Sequence, residues 1–199
     1  MVDQINKYIR KLPSWLIYVA TVGYASWLFY LGLTGGLGVE PINALEREYG
    51  ITALQLVVLG LAVTPLRRHF GLNLLKHRRA IGVSAFFLVS IHLMAWLFLD
   101  VQSLSAIWAD IVKRPFITIG MIAFVMMLPL GITSNNWSVR KLGPMWRSLH
   151  KLTYAVAILG AVHYVMVAKG FQIEPLIYLG LTALLLISRW KGFPKLKLA

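Results

Sequence analysis

Apolar stretches long enough to cross a lipid bilayer recur along this 199-residue chain, and they restrict its fold more than any other feature. A transmembrane helix needs about 20 mostly apolar residues, and only helices or closed barrels can satisfy every backbone polar group inside the bilayer. The stretches cover residues 14–33, 51–66, 79–99, 115–133, 149–168 and 175–190. The sequence therefore predicts an all-α integral membrane protein, a six-helix bundle that forms a single domain over residues 1–199.

Composition excludes several other classes of protein. Charged residues make up 14% of the chain, whereas soluble domains carry about 25%. The chain has no cysteine, which excludes disulfides, iron–sulfur clusters and thiolate metal sites. The net charge of +13 is spread over short segments between apolar spans. This pattern indicates membrane topology rather than nucleic-acid binding.

The distribution of lysine and arginine predicts the orientation of the chain. With alternating spans, sixteen of the twenty cations fall on one side, together with Asp3. The other side has four cations, Arg47, Lys113, Arg114 and Lys169, and the remaining six acids. By the positive-inside rule, both termini are expected in the cytoplasm.

Two histidines lie deep within predicted spans at matching depth. His92 is 13 residues beyond Arg79 and His163 is 12 residues beyond Lys151, which places both roughly 18–20 Å from the inner ends of their helices. Histidine is a common axial ligand of haem iron, and an ionisable residue inside a membrane suggests a functional site. The predicted site is a haem held between His92 and His163. The alternative is that each is a buried polar residue bonded to a neighbouring helix.

Near the inner face, His150 is a candidate ligand of a second site. It precedes His163 by 13 residues, and an ideal helix would place the two about 140° apart around its axis unless its first turn unwinds. Arg78 and Arg79 could pair with haem propionates, and His77 could supply another ligand. Otherwise His150 is a residue of the interface, His77 belongs to a basic loop, and His69 is solvated.

Basic loops and aromatic residues at the span ends have simpler interpretations as well. Most of the inner cations could simply set the orientation of the chain in the membrane. They could also bind a phosphate-bearing cofactor, haem propionates or an electron donor. The tryptophans near span ends suggest an interfacial belt: Trp15, Trp108, Trp146 and Trp190.

The segment KLGPMWRSLHKLTY, residues 141–154, followed by His163 and Tyr164, resembles a signature of the ferric-reductase-like transmembrane family. Other matching stretches cover most of the chain: GGLGVEP (35–41), TPLR (64–67), Arg78–Arg79, Arg114–Pro115 and EPLIY (174–178). Within that family, the resemblance extends to haem-binding subunits of periplasmic protein-methionine-sulfoxide reductase systems.

The resemblance implies a six-helix haem b protein of the bacterial inner membrane, with one or two haems and possible FMN. His92 and His163 would ligate the outer iron, and His150 an inner one. Larger relatives carry two histidines fourteen residues apart on span three, but the residue fourteen before His92 is Arg78.

As for partners, the resemblance implies electrons from a cytoplasmic flavin reductase or quinol, and delivery to a periplasmic molybdopterin enzyme that repairs oxidised methionine in proteins. No flavin- or nucleotide-binding segment follows span six in the sequence, so an electron-transfer subunit without catalytic residues of its own is expected. Its only other partner would be membrane lipid.

Two alternative functions remain at this point. One is a stand-alone ferric or quinol oxidoreductase of the same family. The other is a haem-free transporter or scaffold, although the sequence lacks the repeats and intramembrane charges typical of transporters.

The cation asymmetry generates a prediction about topology. A reporter that is active only in the periplasm should be silent when fused after Ala199 and active when inserted near Asn43 or Ser103, because the inner loops carry most of the cations. Reporter activity in intact cells measures this, and the reverse pattern would contradict the predicted direction of electron transfer.

Overall fold

The computed structural model describes residues 2–168 and 170–189, and within them the chain is helical with no β-strand. The α-helices, numbered in chain order, are α1 (Val2–Lys11), α2 (Trp15–Leu33), α3 (Pro41–Phe70), α4 (Arg78–Ala95), α5 (Leu104–Lys113), α6 (Pro115–Ile132), α7 (Asn136–Leu142), α8 (Pro144–Leu149), α9 (Leu152–Val167) and α10 (Ile173–Ile187). A 3₁₀ turn at Leu75–His77 leads into α4, and a π-helical turn at Trp96–Val101 extends it.

Among the described residues, five helical segments are long and apolar enough to cross a membrane: Trp15–Leu33, Pro41–Phe70, Leu75–Val101, Pro115–Ile132 and Pro144–Val167. The chain is thus a multi-pass helical membrane protein. The sixth predicted span corresponds to α10, an apolar helix of 15 residues. Its predicted end at Trp190, together with Lys169, Lys191, Lys195 and Lys197, lies outside the described residues.

Helix α3 begins at Pro41, ten residues before the predicted start of span two. The charged residues Glu46, Arg47 and Glu48 interrupt the apolar pattern there but do not interrupt the helix. Proline at the first helical position costs no hydrogen bond, because that N–H has no partner within the helix in any case. The consequence is that Glu46 lies beside the outer part of the bundle rather than in a loop.

The predicted fifth span is broken near its start. Helix α8 ends at Leu149, α9 begins at Leu152, and His150 lies in the turn between them. Backbone hydrogen bonds from Lys151 to Ser148 and from Thr153 to His150 make this turn tighter than an α-helical one. The 140° separation of an ideal α-helix therefore does not apply directly to His150 and His163.

The core lies along α3, which packs against α4, α9 and α10. Leu61 of α3, Leu88 of α4 and Ala157 of α9 are fully buried. Side-chain packing of this kind contributes to helix association in a membrane, where lipid already surrounds apolar side chains. The two candidate sites described below lie on either side of this packing.

One hydrogen bond at the inner end of the bundle compensates for a proline. Pro65 lies inside α3 and has no N–H, so the carbonyl of Leu61 loses its usual donor four residues later. The guanidinium of Arg189 donates to that carbonyl through Nη2 and to the Tyr154 hydroxyl through Nη1 at 3.0 Å. Arg189 therefore ties the end of α10 to α3 and α9.

This arrangement predicts a coupling between Arg189 and Pro65. Arg189→Met should lower stability by about 1–3 kcal/mol, because it leaves a buried carbonyl without a partner. In a Pro65→Ala background the helix regains its own donor, so the same substitution should cost less. Thermal unfolding of the four variants in detergent measures the coupling. Arg140→Met, at an exposed position, controls for loss of a cation, and equal costs in both backgrounds would contradict the assignment.

Candidate functional site: two cavities along the bundle

The structure brings His92 of α4 and His163 of α9 together. Their ring centroids are 6.4 Å apart and their planes make an angle of 79°. The matched depth predicted from the sequence thus corresponds to a direct juxtaposition of the two imidazoles in the folded bundle.

A hydrogen bond to a neighbouring helix holds each ring. His92 Nδ1 lies 2.8 Å from the carbonyl oxygen of Glu46 on α3, and His163 Nδ1 lies 2.7 Å from that of Phe116 on α6. A carbonyl can only accept, so each Nδ1 donates and carries the proton. In a neutral imidazole the other nitrogen, Nε2, then keeps its lone pair. Both histidines are in the tautomer that can ligate a metal through Nε2.

A glycine lies under each ring, four residues after the carbonyl that accepts its hydrogen bond. A Cβ atom built on Gly50 would lie 3.2 Å from His92 Nδ1, and one built on Gly120 would lie 2.9 Å from His163 Nδ1. Both distances are shorter than ordinary van der Waals contact. Each imidazole therefore occupies space that only glycine leaves open on the adjacent helix.

The two histidines line a cavity of about 540 Å³, which is called here the outer cavity. This volume is within the range of roughly 300–1,000 Å³ typical of cofactor and ligand sites. Apolar residues such as Leu54, Ile117 and Phe124 form its walls. Its charged lining residues are Glu40, Glu46, Arg47, Asp100 and Arg114.

The outer cavity fits a haem with two axial imidazoles. Metal–imidazole bonds are about 2.0–2.1 Å long, so two rings that ligate one iron from opposite sides have centroids about 6.3 Å apart. The observed separation of 6.4 Å matches this value. Metal-ligating histidines also commonly donate their second N–H to a backbone carbonyl, which both rings do here.

A second cavity, of about 790 Å³, lies at the opposite end of the bundle and is called here the inner cavity. It brings together the predicted inner residues His150, Arg78 and Arg79. Five cations line it and, among the described residues, no carboxylate does: the cations are Lys76, Arg78, Arg79, Arg147 and Lys151. Its aromatic lining residues are Tyr18, Phe86, Trp146 and Tyr154. The inner cavity is therefore suited to a planar group that carries negative charge.

His150 is oriented by Thr133 and Trp146. The Thr133 hydroxyl donates to the Pro129 carbonyl at 2.6 Å, so at its 3.1 Å contact with His150 Nε2 it accepts. His150 therefore carries its proton on Nε2, and Nδ1 keeps the lone pair. The Trp146 ring stacks on His150 at 3.9 Å, while its Nε1 donates to the Thr133 carbonyl at 2.9 Å. Trp146, expected in the interfacial belt, is thus turned into the bundle.

His77, the other inner candidate, is directed away from the inner cavity. It is buried, with Nδ1 at 3.1 Å from Ser14 Oγ and Nε2 at 3.0 Å from the Ile9 carbonyl. The two ring nitrogens connect the turn before α4 to α1, through Ile9, and to Ser14 at the start of α2. His77 lies in the basic connection before α4, as expected, but its side chain is buried there in a structural contact. His69 is partly buried rather than solvated.

The two cavities share a wall. Val57, Met127 and Val156 line both, and all three are buried in the core. Phe86 of the inner cavity stacks on Phe124 of the outer cavity, with ring centroids 6.3 Å apart and planes 11° from parallel. A layer one side chain thick therefore separates the two sites.

Sequence reasoning missed several of these residues. It found no intramembrane carboxylate, whereas Glu46 lines the outer cavity and its Oε1 is buried without a hydrogen-bond partner. Gly50, Gly120 and Phe116 were not singled out either. Glycines inside apolar spans gave the only sequence signal for the first two, and that signal is weak.

Comparison with known proteins identifies the family. Residues 48–161 match the family described as ferric reductase like transmembrane component. A protein-methionine-sulfoxide reductase heme-binding subunit MsrQ from Brucella anthropi is 47% identical over 176 residues, which are 88% of this chain and 80% of that protein. The proteins of that name from Brucella ovis and Brucella canis are 48% identical over the same shares. No solved structure matches the chain. At this identity and coverage, the chain belongs to the ferric reductase like transmembrane family, as the sequence signature suggested.

Proposed function

We propose that this protein is a haem b-binding electron-transfer subunit, in which His92 and His163 are the axial ligands of the outer haem. The observation that carries the proposal is the pair of imidazoles whose centroids lie 6.4 Å apart, each with Nδ1 bonded to a carbonyl. The relatives named as heme-binding subunits support the same cofactor. The iron of a bound haem supplies one-electron transfer by changing between its ferric and ferrous states.

In this proposal the chain forms one domain that crosses the bacterial inner membrane six times, with both termini in the cytoplasm. The positive-inside distribution supports that orientation, and α10 is the sixth apolar helix. The outer cavity then opens toward the periplasm and the inner cavity toward the cytoplasm.

The residues of the outer cavity have separate roles in this proposal. Nε2 of each histidine would bind the iron, and the Nδ1 hydrogen bonds would fix the planes of the rings and increase the basicity of the imidazoles. The apolar wall of Leu54, Ile117 and Phe124 would exclude water.

The inner cavity would hold a second planar, anionic cofactor, either another haem or FMN. Arg78 and Arg79 would pair with propionates or with a flavin phosphate. His150 has its lone pair on Nδ1 and could ligate an inner iron through that atom. The five cations without a lining carboxylate support this proposal, and His77, whose nitrogens are both bonded, is excluded from it as a ligand.

For partners, we propose a cytoplasmic flavin reductase or quinol as the electron donor and a periplasmic molybdopterin methionine-sulfoxide reductase as the electron acceptor. This chain and the acceptor enzyme would together repair oxidised proteins. The names of the relatives support the acceptor. The inner and outer cavities, separated by the shared wall of Val57, Met127 and Val156, support transfer across the membrane within one chain.

The axial pair is tested by removing either imidazole. His92→Ala and His163→Ala should each abolish the low-spin outer haem, because six-coordinate iron needs both ligands. The visible spectrum before and after dithionite reduction, with haem and flavin quantified per chain, measures this. His69→Ala, outside both cavities, should keep the wild-type spectrum. A wild-type spectrum in either axial variant would show that the pairing is wrong.

Electron delivery is tested in membranes that contain this protein. Together with a cytoplasmic flavin reductase, they should reduce a co-expressed periplasmic molybdenum enzyme, and neither component should suffice alone. The rate should fall at least tenfold in His150→Ala if the inner site receives the electrons. Reduction at an equal rate in membranes without this chain would contradict the proposed role.

A further inference from the structure

Gly50 and Gly120 repeat one arrangement on two different helices. In each case a helical carbonyl accepts a hydrogen bond from a histidine of another helix, and the residue four positions later is a glycine beneath that histidine ring. We infer that Gly50 and Gly120 are positioning residues, which set the angle between the two imidazole planes and keep both Nδ1 hydrogen bonds intact. This inference rests on the proposed role of His92 and His163 as axial ligands.

Backbone conformation does not explain the two glycines. Neither has a positive φ, so any residue could adopt their helical backbone. Alanine is also the better helix former of the two. Close approach of the histidine ring is the remaining reason, since a Cβ on Gly120 would lie 2.9 Å from both Nδ1 and Cε1 of His163.

The two positions differ in how tightly the ring fits. At Gly120 a Cβ would be closer to the ring than real contacts allow, so His163 would have to move. At Gly50 a Cβ would lie 3.2 Å and 3.3 Å from Nδ1 and Cε1 of His92, which requires a shift of a few tenths of an ångström. Alanine at position 120 should therefore disturb its histidine more than alanine at position 50 does.

Movement of the ring has two consequences at the iron. Rotation of one imidazole changes the angle between the ligand planes from its present 79°, and this angle determines the anisotropy of the g values of low-spin ferric haem. A longer hydrogen bond from Nδ1 to the carbonyl would make the imidazole a less basic ligand, which donates less electron density to the iron through Nε2. A weaker donor stabilises ferric iron less, so the reduction potential rises.

The experiment uses the full chain, purified in detergent with haem, as wild type and as Gly120→Ala and Gly50→Ala. Gly23→Ala on α2 and Gly180→Ala on α10 are matched controls, because a Cβ at either position meets nothing within 4 Å. Haem per chain, low-temperature EPR of the oxidised protein and the midpoint potential of the outer haem are measured for each.

We expect the largest g value and the midpoint potential to change most in Gly120→Ala and less in Gly50→Ala. Both controls should match wild type. Loss of the outer haem in Gly120→Ala alone, with a shifted EPR signal in Gly50→Ala, would also support the inference. Full haem with unchanged EPR and potential in both test variants would overturn it and leave the axial pair intact. Equal changes in the controls would overturn it as well, since they would indicate a general effect on helix packing. Wild-type protein that binds no haem would instead refute the proposed function.

Discussion

The outer site depends on two hydrogen bonds between helices, one from His92 to the Glu46 carbonyl and one from His163 to the Phe116 carbonyl. An unpaired N–H is costly in a low-dielectric interior, so each imidazole needs an acceptor. A helical carbonyl has a second lone pair beyond its own helix bond, and glycine four residues later leaves it accessible. The same two bonds connect α4 to α3 and α9 to α6, so helix packing and the orientation of the imidazoles are determined together.

The two cavities differ in charge. Five cations line the inner cavity and create a region of positive potential there that suits propionates or phosphate. In the proposed orientation these cations face the cytoplasm, so the positive-inside rule and the proposed cofactor would require the same residues. The outer cavity is lined by both carboxylates and arginines. In the proposed function, its two histidines and its apolar walls would hold the haem.

Two departures from regular helix lie at the inner end of the bundle. Pro65 frees a carbonyl that Arg189 then satisfies, and the break between α8 and α9 releases His150 from the helical repeat. Freed backbone groups in a membrane must find other partners, and long cationic side chains near helix ends can supply them. Trp146 of α8 and His150, in the turn that follows α8, both line the inner cavity.

The membrane class, most helix positions and the matching positions of His92 and His163 along their helices could be predicted from local properties of the chain, namely apolar length and helical rise. The sequence also predicted that His150, Arg78 and Arg79 belong to one site near the inner face, and the three residues line one cavity. Three relations became visible only once the helices were packed together. Glu46 lines the outer cavity, His77 is bonded on both nitrogens to the α1–α2 region, and Gly50 and Gly120 lie beneath the imidazoles. Those relations join residues more than forty positions apart, and they depend on how the helices are rotated and packed against each other, which no local pattern encodes.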